Sequence, residues 1–436
     1  MMLSKENIFL SVLLFLIIFM FAWWSHPSLI PKTYPDSFSY VNIAENFNHK
    51  SNAMRPFVFP LFIRICMWLS KSNWNIIFSI CQILIHASLC LVLFLFYQKL
   101  RLKPVLSFIL VMVIGLNPSI LVYTTAVLSD YLLAVLITMS WMMFIILMES
   151  VSKGKISDIN TQAYIFGLLN GLASVTKLVW LYAIFPFIAY LIQTAGLNKK
   201  TLKLCVIIIL LNFSFYSFWS FYKNDKGQYD KLYSQTYYGI NMASIRGGLV
   251  EIGKGTPLYQ YLEENQLIGS AIKCNGDDND DFRKVYWAVP FNMKIDEEFA
   301  KKIIENAPFK FIVLQLTTWH TFFTKRMHHP NENSFPYMPD SIRYLYLGSY
   351  NNLYRPLLAP LLIFFILIGI NKQYRVLVIS SLIVLIYFSV LHAIFSATPA
   401  HFIRYRVAVE YVLFFSALLP VGIAFQNQKF NLLSRL

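Results

Sequence analysis

The sequence predicts an all-α polytopic membrane protein of about ten transmembrane helices joined by periplasmic loops. Three observations predict it: the chain is unusually apolar, its apolar residues gather into runs about twenty residues long, and basic residues recur in alternate connections between those runs. Of 436 residues, 57% are hydrophobic and 14% charged. An ordinary soluble domain has about 45–50% apolar and about 25% charged residues. Each long run is the length a helix needs to cross about 30 Å of hydrocarbon at about 1.5 Å per residue.

In chain order the spans are expected at Ile8 to Trp24, Trp74 to Tyr97, Val105 to Val122, Tyr131 to Met148, Tyr164 to Thr176, Val179 to Thr194, Leu202 to Tyr222, Leu353 to Ile370, Val376 to Phe395 and Val407 to Phe425. The first run exceeds the apolar part of a signal peptide, and Trp23, Trp24, Ser25, His26 and Pro27 offer no small-residue cleavage site, so it is expected to be retained. The fifth run is short and breaks at Lys177, an ionisable residue that is costly at membrane depth. Gly167 and Gly171 within it suit close helix packing. Cys66, Cys81, Cys90, Cys205 and Cys274 show no disulfide framework, and those within apolar runs read as small packing residues.

With Lys5 in the cytoplasm, the alternate connections carry Lys99, Arg101 and Lys103; Lys153 and Lys155; Lys199, Lys200 and Lys203; Lys372 and Arg375; and Lys429 and Arg435. This is the positive-inside pattern, and it puts both termini in the cytoplasm of a multi-pass protein, with a bacterial inner membrane the expected location. The net charge of +15 therefore reports membrane orientation. Its short clusters do not line one face, so nucleic acid is not an expected partner.

Two substantial segments fall on the far side, His26 to Asn73 and Lys223 to Asn352. The expected organisation is an N-terminal transmembrane module over 1–222 with its site in the first outer loop (26–73), a periplasmic domain or structured loop over 223–352, and C-terminal transmembrane helices over 353–436. The middle segment is a different material, rich in acids and in turn-forming stretches such as Arg246, Gly247 and Gly248. Phe299 to Phe323 within it reads as an interfacial helix interrupted at Pro308.

Chemistry is sought in the outer segments. Tyr40, Ile43, Ala44 and Phe47 fall at helical spacing, which makes Asp36 the start of a short amphipathic helix. Asp36 is then either an N-cap or a general base, since an acceptor hydroxyl is a poor nucleophile until a carboxylate takes its proton. Asp130 is the only acid between Glu45 and Glu149. Either it or Ser129 caps the fourth span, or the carboxylate joins Asp36 in orienting an acceptor or holding a divalent cation, Mg²⁺ or Mn²⁺. Arg404, Tyr405 and Arg406 open the last span, where a guanidinium pair can clamp a lipid phosphate or snorkel to headgroups. Lys177 either reaches toward an anionic substrate or anchors its helix. His320, His328 and His329 match no closed zinc spacing and read as solvated or partner-binding, with His328 and His329 kept as metal candidates beside Asp36 and Asp130. No glycine loop cradles a phosphate, so no nucleotide cofactor is expected.

Taken in order, these parts resemble the GT-C superfamily of integral membrane glycosyltransferases, and within it the bacterial branch related to protein mannosyltransferases and to the aminoarabinose transferase of lipid A. The matching residues are Asp36, Tyr40 and Ala44 with Arg55, Pro56 and Pro60; Asn117, Pro118 and Asp130; the glycine-rich fifth span ending at Lys177; Trp219 and Asn224; Glu305, Asn306 and Pro308; and Arg404, Tyr405 and Arg406. The resemblance implies the GT-C fold and an inverting transferase that takes a sugar from a polyprenyl-phosphate carrier to a glycan, lipid or protein acceptor. On it Asp36 is the base, Asp130 assists acceptor or metal, and Arg404 or Arg406 holds the donor phosphate; Tyr40, Arg55, Lys177 and Tyr405 join them as candidate substrate-binding residues. The sequence departs from many relatives in having Asp at 130, Lys at 177, and Val407, Ala408, Val409 and Glu410 where relatives have prolines. Membrane glucosyltransferases that decorate O-antigen fit the same outline. A lipid-linked sugar flippase and an O-antigen polymerase or ligase remain as rival expectations; the flippase predicts a repeat between the two halves and ionisable residues at mid-bilayer, and the sequence displays neither clearly.

Overall fold

The computed structural model describes residues 5–49, 55–153, 156–222, 231–274, 280–289, 293–324, 335, 338–351, 355–395 and 402–433. Every extended regular element among them is a helix; the one isolated β-bridge pairs Lys32 with Ala126. The chain divides into two compact units, 1–224 with 326–385 and 407–436, and 225–325 with 386–406. Residues 326–352, placed with the second outer segment by the expected topology, cluster with the first unit.

The first unit opens with α1 (Lys5–Ser25), α2 (Pro35–Glu45), α3 (Val58–Leu69), α4 (Trp74–Lys99), α5 (Pro104–Gly115), α6 (Pro118–Thr124), α7 (Ser129–Ser152), α8 (Ile156–Ser174), α9 (Ile184–Ala195) and α10 (Lys199–Tyr222). The second unit carries α11 (Lys231–Arg246), α12 (Pro257–Glu264), α13 (Ile268–Lys273), α14 (Asp280–Ala288), α15 (Met293–Asn306) and α16 (Pro308–Thr324). The chain ends with α17 (Asp340–Ser349), α18 (Arg355–Ile368), α19 (Lys372–Phe395) and α20 (Phe402–Leu433).

Among the described residues, 7 helical segments are long and apolar enough to cross a membrane, or up to 8 if the bent pair α5 and α6 is one span. This is fewer than the expected ten. The third expected span is not straight: α5 and α6 meet at 60°. The fifth corresponds to α8, which ends at Ser174, three residues before Lys177. Of the eighth, the described residues show α18, an apolar helix of 14 residues, and residues 353 and 354 of the expected span lie outside the described residues. The remaining seven each have a counterpart, and the sixth begins as a 3₁₀ turn, Leu178–Ala183, that runs into α9.

The break between α5 and α6 exposes backbone that the apolar interior must satisfy, because the last carbonyls of a helix have no intrahelical donors. Side chains from elsewhere in the unit supply them. Tyr350 Oη donates to the Val113 carbonyl at 2.6 Å, His86 Nε2 meets the Gly115 carbonyl at 2.9 Å, and Tyr346 Oη donates to the Leu116 carbonyl at 2.5 Å. Asn117 then caps α6 by accepting from the Ser119 N–H at 2.9 Å, and its amide donates to Glu410 at 3.3 Å. Gly115 is itself required by packing: a Cβ there would lie 2.4 Å from Ile18 Cδ1 and 3.0 Å from Cys90 Sγ. The glycines of α8 behave as their spacing predicts, since a Cβ on Gly171 would meet Phe215 at 2.7 Å and the Leu211 carbonyl at 2.9 Å on α10.

The second unit has its own apolar core, including Ile245, Leu258, Leu262, Phe282, Val285, Phe299 and Ile303. Pro308 divides the predicted interfacial helix into two, ending α15 at Asn306 and occupying the first position of α16, where its missing N–H costs nothing.

Candidate functional site

The first unit brings the first-loop acid and the Asp130 region together through backbone as well as side chains. Lys32 N–H donates to the Thr125 carbonyl at 3.2 Å, and Val127 N–H donates back to the Lys32 carbonyl at 3.0 Å. Ser37 Oγ accepts from the Tyr34 N–H and donates to the Val127 carbonyl, both at 2.8 Å. Three residues on, the Tyr40 and Ser129 hydroxyls share a hydrogen bond of 2.9 Å. The start of α2 is thus tied to the start of α7. The face predicted for α2 is the one it buries, with Tyr40, Ile43 and Ala44 at 3%, 0% and 0% exposure; Phe47 lies past the helix end and is exposed.

Neither acid is a helix cap, which corrects the expectation drawn from residue preference. The N-caps are Tyr34 and Leu128, and Asp36 and Asp130 both occupy the second helical position. Negative charge there still faces the positive end of the helix dipole, a stabilisation of about 0.3–1 kcal/mol. What distinguishes the acids is the cation each one holds. Arg55 Nη2 donates to Asp36 Oδ1 at 2.6 Å, while its Nε reaches Ser39 Oγ at 3.2 Å and its guanidinium lies 5.1 Å from the Tyr40 ring centre. Lys177 Nζ donates to Asp130 Oδ1 at 2.6 Å.

The two pairs differ in solvent access. The Asp36 and Arg55 side chains are 32% and 28% exposed. Asp130 is 0% exposed and Lys177 22%. The Asp36 carboxylate is therefore open to solvent, whereas the Asp130 carboxylate is reached only through Lys177.

Lys177 owes its place to a break between α8 and the 3₁₀ turn after it, pinned by buried amides. Asn170 Oδ1 accepts from Trp180 Nε1 at 2.8 Å, and Asn170 Nδ2 donates to Asn212 Oδ1 at 2.7 Å. Asn212 Nδ2 in turn donates to the Leu181 carbonyl at 3.1 Å. Trp180 and Asn212, together with Ser37, were not singled out from sequence as parts of the site, and neither were the ion pairs of Asp36 with Arg55 and of Asp130 with Lys177. Asn170 and Asn212 had a readable signal, as amides inside apolar runs; the pairing itself had none.

The other candidates lie elsewhere. Arg406 belongs to the second unit, is 3% exposed and donates through Nη1 to the Phe323 carbonyl at 3.3 Å. Arg404 and Tyr405 stand in the first turn of α20, but their side chains are outside those described, and His328 and His329 are outside the described residues altogether. His320 lies in α16. Among the described residues no three of His, Cys, Asp and Glu converge as a metal site. Asp36 and Asp130 each face a cationic side chain that neutralises their charge as a divalent ion would, so the residues present make a poor match to a resident metal.

A second polar network occupies the interior of the spans. His86 is fully buried, with Nδ1 2.6 Å from Tyr411 Oη and Nε2 on the Gly115 carbonyl; Tyr411 Oη lies 3.4 Å from Tyr131 Oη. Because Nε2 faces a carbonyl it carries the proton, and Nδ1 accepts from Tyr411. Glu410, one residue away, is 1% exposed and takes Asn117. No protein-family model, no curated protein and no solved structure matches the chain.

Proposed function

We propose that the chain is an inverting glycosyltransferase of the GT-C type, moving a sugar from a polyprenyl-phosphate carrier to a cell-envelope acceptor at the periplasmic face of a bacterial inner membrane. The observation that carries the reading is the partly exposed Asp36 carboxylate, fixed by Arg55 at the start of α2 and tied through Tyr40 to the Asp130–Lys177 pair. In the reaction, Asp36 takes the proton of the acceptor hydroxyl as that oxygen forms its bond to the anomeric carbon. The carbon–oxygen bond to the donor phosphate breaks on the opposite face, inverting the centre, and the electron pair leaves with the phosphate. Negative charge developing on that phosphate is stabilised by fixed cations. Lys177, held by Asp130, and Arg55 are the cations this site presents; the resemblance assigns the same task to Arg404 and Arg406. Asp130 is then a positioning residue.

The decisive experiment is transfer by purified protein offered polyprenyl-phosphate hexoses. Asp36→Asn should abolish product while leaving donor binding and the melting temperature unchanged. Retained transfer removes the base assignment.

A flippase that moves the lipid-linked sugar without forming a bond is favoured by one specific observation, the broken pair α5 and α6 with Glu410 and His86 buried beside it. Discontinuous helices and buried ionisable groups are what transporters use. That reading predicts that Asp36→Asn leaves translocation of a fluorescent polyprenyl-phosphate sugar in proteoliposomes intact, and that Glu410→Gln stops it.

A further inference from the structure

At the end of the first unit where Lys99 closes α4, the fold leaves a recess of about 290 Å³. It is reached by the start of α5, the start of α19 and the tail of the last span, with Arg101, Asn371, Gln373, Tyr374 and Gln426 among its lining residues. Each of those elements is an end of a membrane-length helix or of the bent pair, so the recess sits at headgroup level whichever face that is. This end is far from the candidate site: Lys99 pairs with Glu149 at 2.9 Å, and Glu149 is about 28 Å along α7 from Asp130 at 1.5 Å per residue.

Glu149 offsets Lys99 and Lys153 at this end, but the two connections that line the recess carry only basic charge. Lys99, Arg101, Lys103, Lys372 and Arg375 fall in or beside the two connections that form the recess, and residues 99–103 and 369–375 contain no acid. Orientation in the membrane accounts for basic residues here. It does not account for the conformation of Arg101. Leu102 N–H donates to the Tyr97 carbonyl at 3.3 Å and Arg101 N–H to the Gln98 carbonyl at 2.8 Å, a helix ending of the Schellman kind in which the left-handed residue is usually glycine. Here it is arginine, at φ 69°. Gln426 holds the turn from across the recess, its Oε1 accepting from Lys103 N–H at 3.1 Å and its Nε2 donating to the Arg101 carbonyl at 3.0 Å. Leu29 and Gln266 also take a positive φ, so the conformation by itself marks no site; what sets Arg101 apart is that it also lines the recess.

We infer that this recess binds a phosphate group, and specifically the headgroup phosphate of an anionic membrane lipid. A guanidinium at the rim matches phosphate in geometry and charge. The start of α19, where Asn371 caps by accepting from the Gln373 N–H at 3.0 Å, adds the positive end of a helix dipole. The volume is just below the 300–1,000 Å³ usual for small-molecule sites, which suits a phosphate with a small alcohol and excludes a dinucleotide. The inference stands whether or not the chain transfers sugar.

Arg101→Gly tests it cleanly, because glycine accepts the left-handed backbone. In phosphatidylcholine nanodiscs the variant should melt at or above the wild-type temperature, which shows that the fold is intact. Titrated short-chain phosphatidylglycerol should raise the wild-type melting temperature and bind Arg101→Gly about tenfold more weakly, the loss expected for one charge-assisted contact. Equal affinity of the two proteins, or equal stabilisation of the wild type by added phosphatidylcholine, overturns the site. Inorganic phosphate at matched ionic strength separates the sources. An equal, Arg101-dependent rise with phosphate alone supports a phosphate site and overturns the lipid as its source.

Discussion

The Asp130–Lys177 pair makes the sharpest quantitative demand. Replacing Lys177 by Met keeps the length and apolar stem of the side chain and removes the one ammonium 2.6 Å from a carboxylate that is 0% exposed. Removing one partner of a buried pair costs about 3–5 kcal/mol, because the other charge is left uncompensated. Two features reduce this: Lys177 is 22% exposed, so the pair is not fully dry, and Asp130 sits at the second position of α7, where the helix dipole offsets about 0.3–1 kcal/mol. The expected loss is therefore about 2–4 kcal/mol. Thermal unfolding in a fixed detergent should show it as a fall of about 4–12 °C, at roughly 2–3 °C per kcal/mol for a large domain. The double variant Asp130→Asn/Lys177→Met should recover most of that fall, since the buried charge is gone. Arg55→Met supplies the contrast. Its pair with Asp36 is about a third exposed, and exposed pairs contribute about 0.2–1 kcal/mol. If Lys177→Met and Arg55→Met lower the melting temperature equally, or if the double variant is worse than the single, the division into a buried positioning pair and an accessible reactive pair is wrong.

Burial pushes His26 down to about 4, with its ring edge against Phe335 and Lys32 adding repulsion. Its folded value lies below the ordinary 6.5, so its contribution to stability is present above pH 6.5 and is lost as pH falls toward 4; for a half-buried ring this is about 1–2 kcal/mol. His26→Phe should flatten that acid limb in a melting-temperature profile, and an unchanged limb would place the titration elsewhere. Gly171→Val should lower stability by about 1–3 kcal/mol through overpacking, since a Cβ already meets Phe215 at 2.7 Å, whereas Gly269→Ala, which meets nothing within 4 Å, should be silent. Burial, with Asp281 second, pushes the Cys274 thiol up to about 11. Alkylation at pH 8 should run about a hundredfold slower in the native protein than in denaturant, and fast native labelling would show that the core of the second unit opens.

Where sequence and structure agree, the agreement has a common origin. Lipid demands long apolar runs, so α1, α4, α7, α10, α19 and α20 were legible as runs, as was the amphipathic face of α2 from the spacing of Tyr40, Ile43 and Ala44. Pro308 and Lys177 marked real interruptions, because a missing donor and a buried charge are local facts.

Tertiary structure alone decided the rest. Residue preference offered Asp36 and either Ser129 or Asp130 as caps, yet Tyr34 and Leu128 hold those positions, because Pro35 starts α2 and the tie between the loops sets where α7 begins. The 60° bend within the third apolar run was invisible, since hydropathy averages over a break whose carbonyls are satisfied by His86, Tyr346 and Tyr350. The pairing of acid with cation was invisible for the same reason. Arg55 lies 19 residues from Asp36 and Lys177 lies 47 from Asp130, and only packed helices bring such residues within a hydrogen bond. Solvent exposure, which separates the open Asp36 pair from the buried Asp130, belongs to that packing and to no residue by itself.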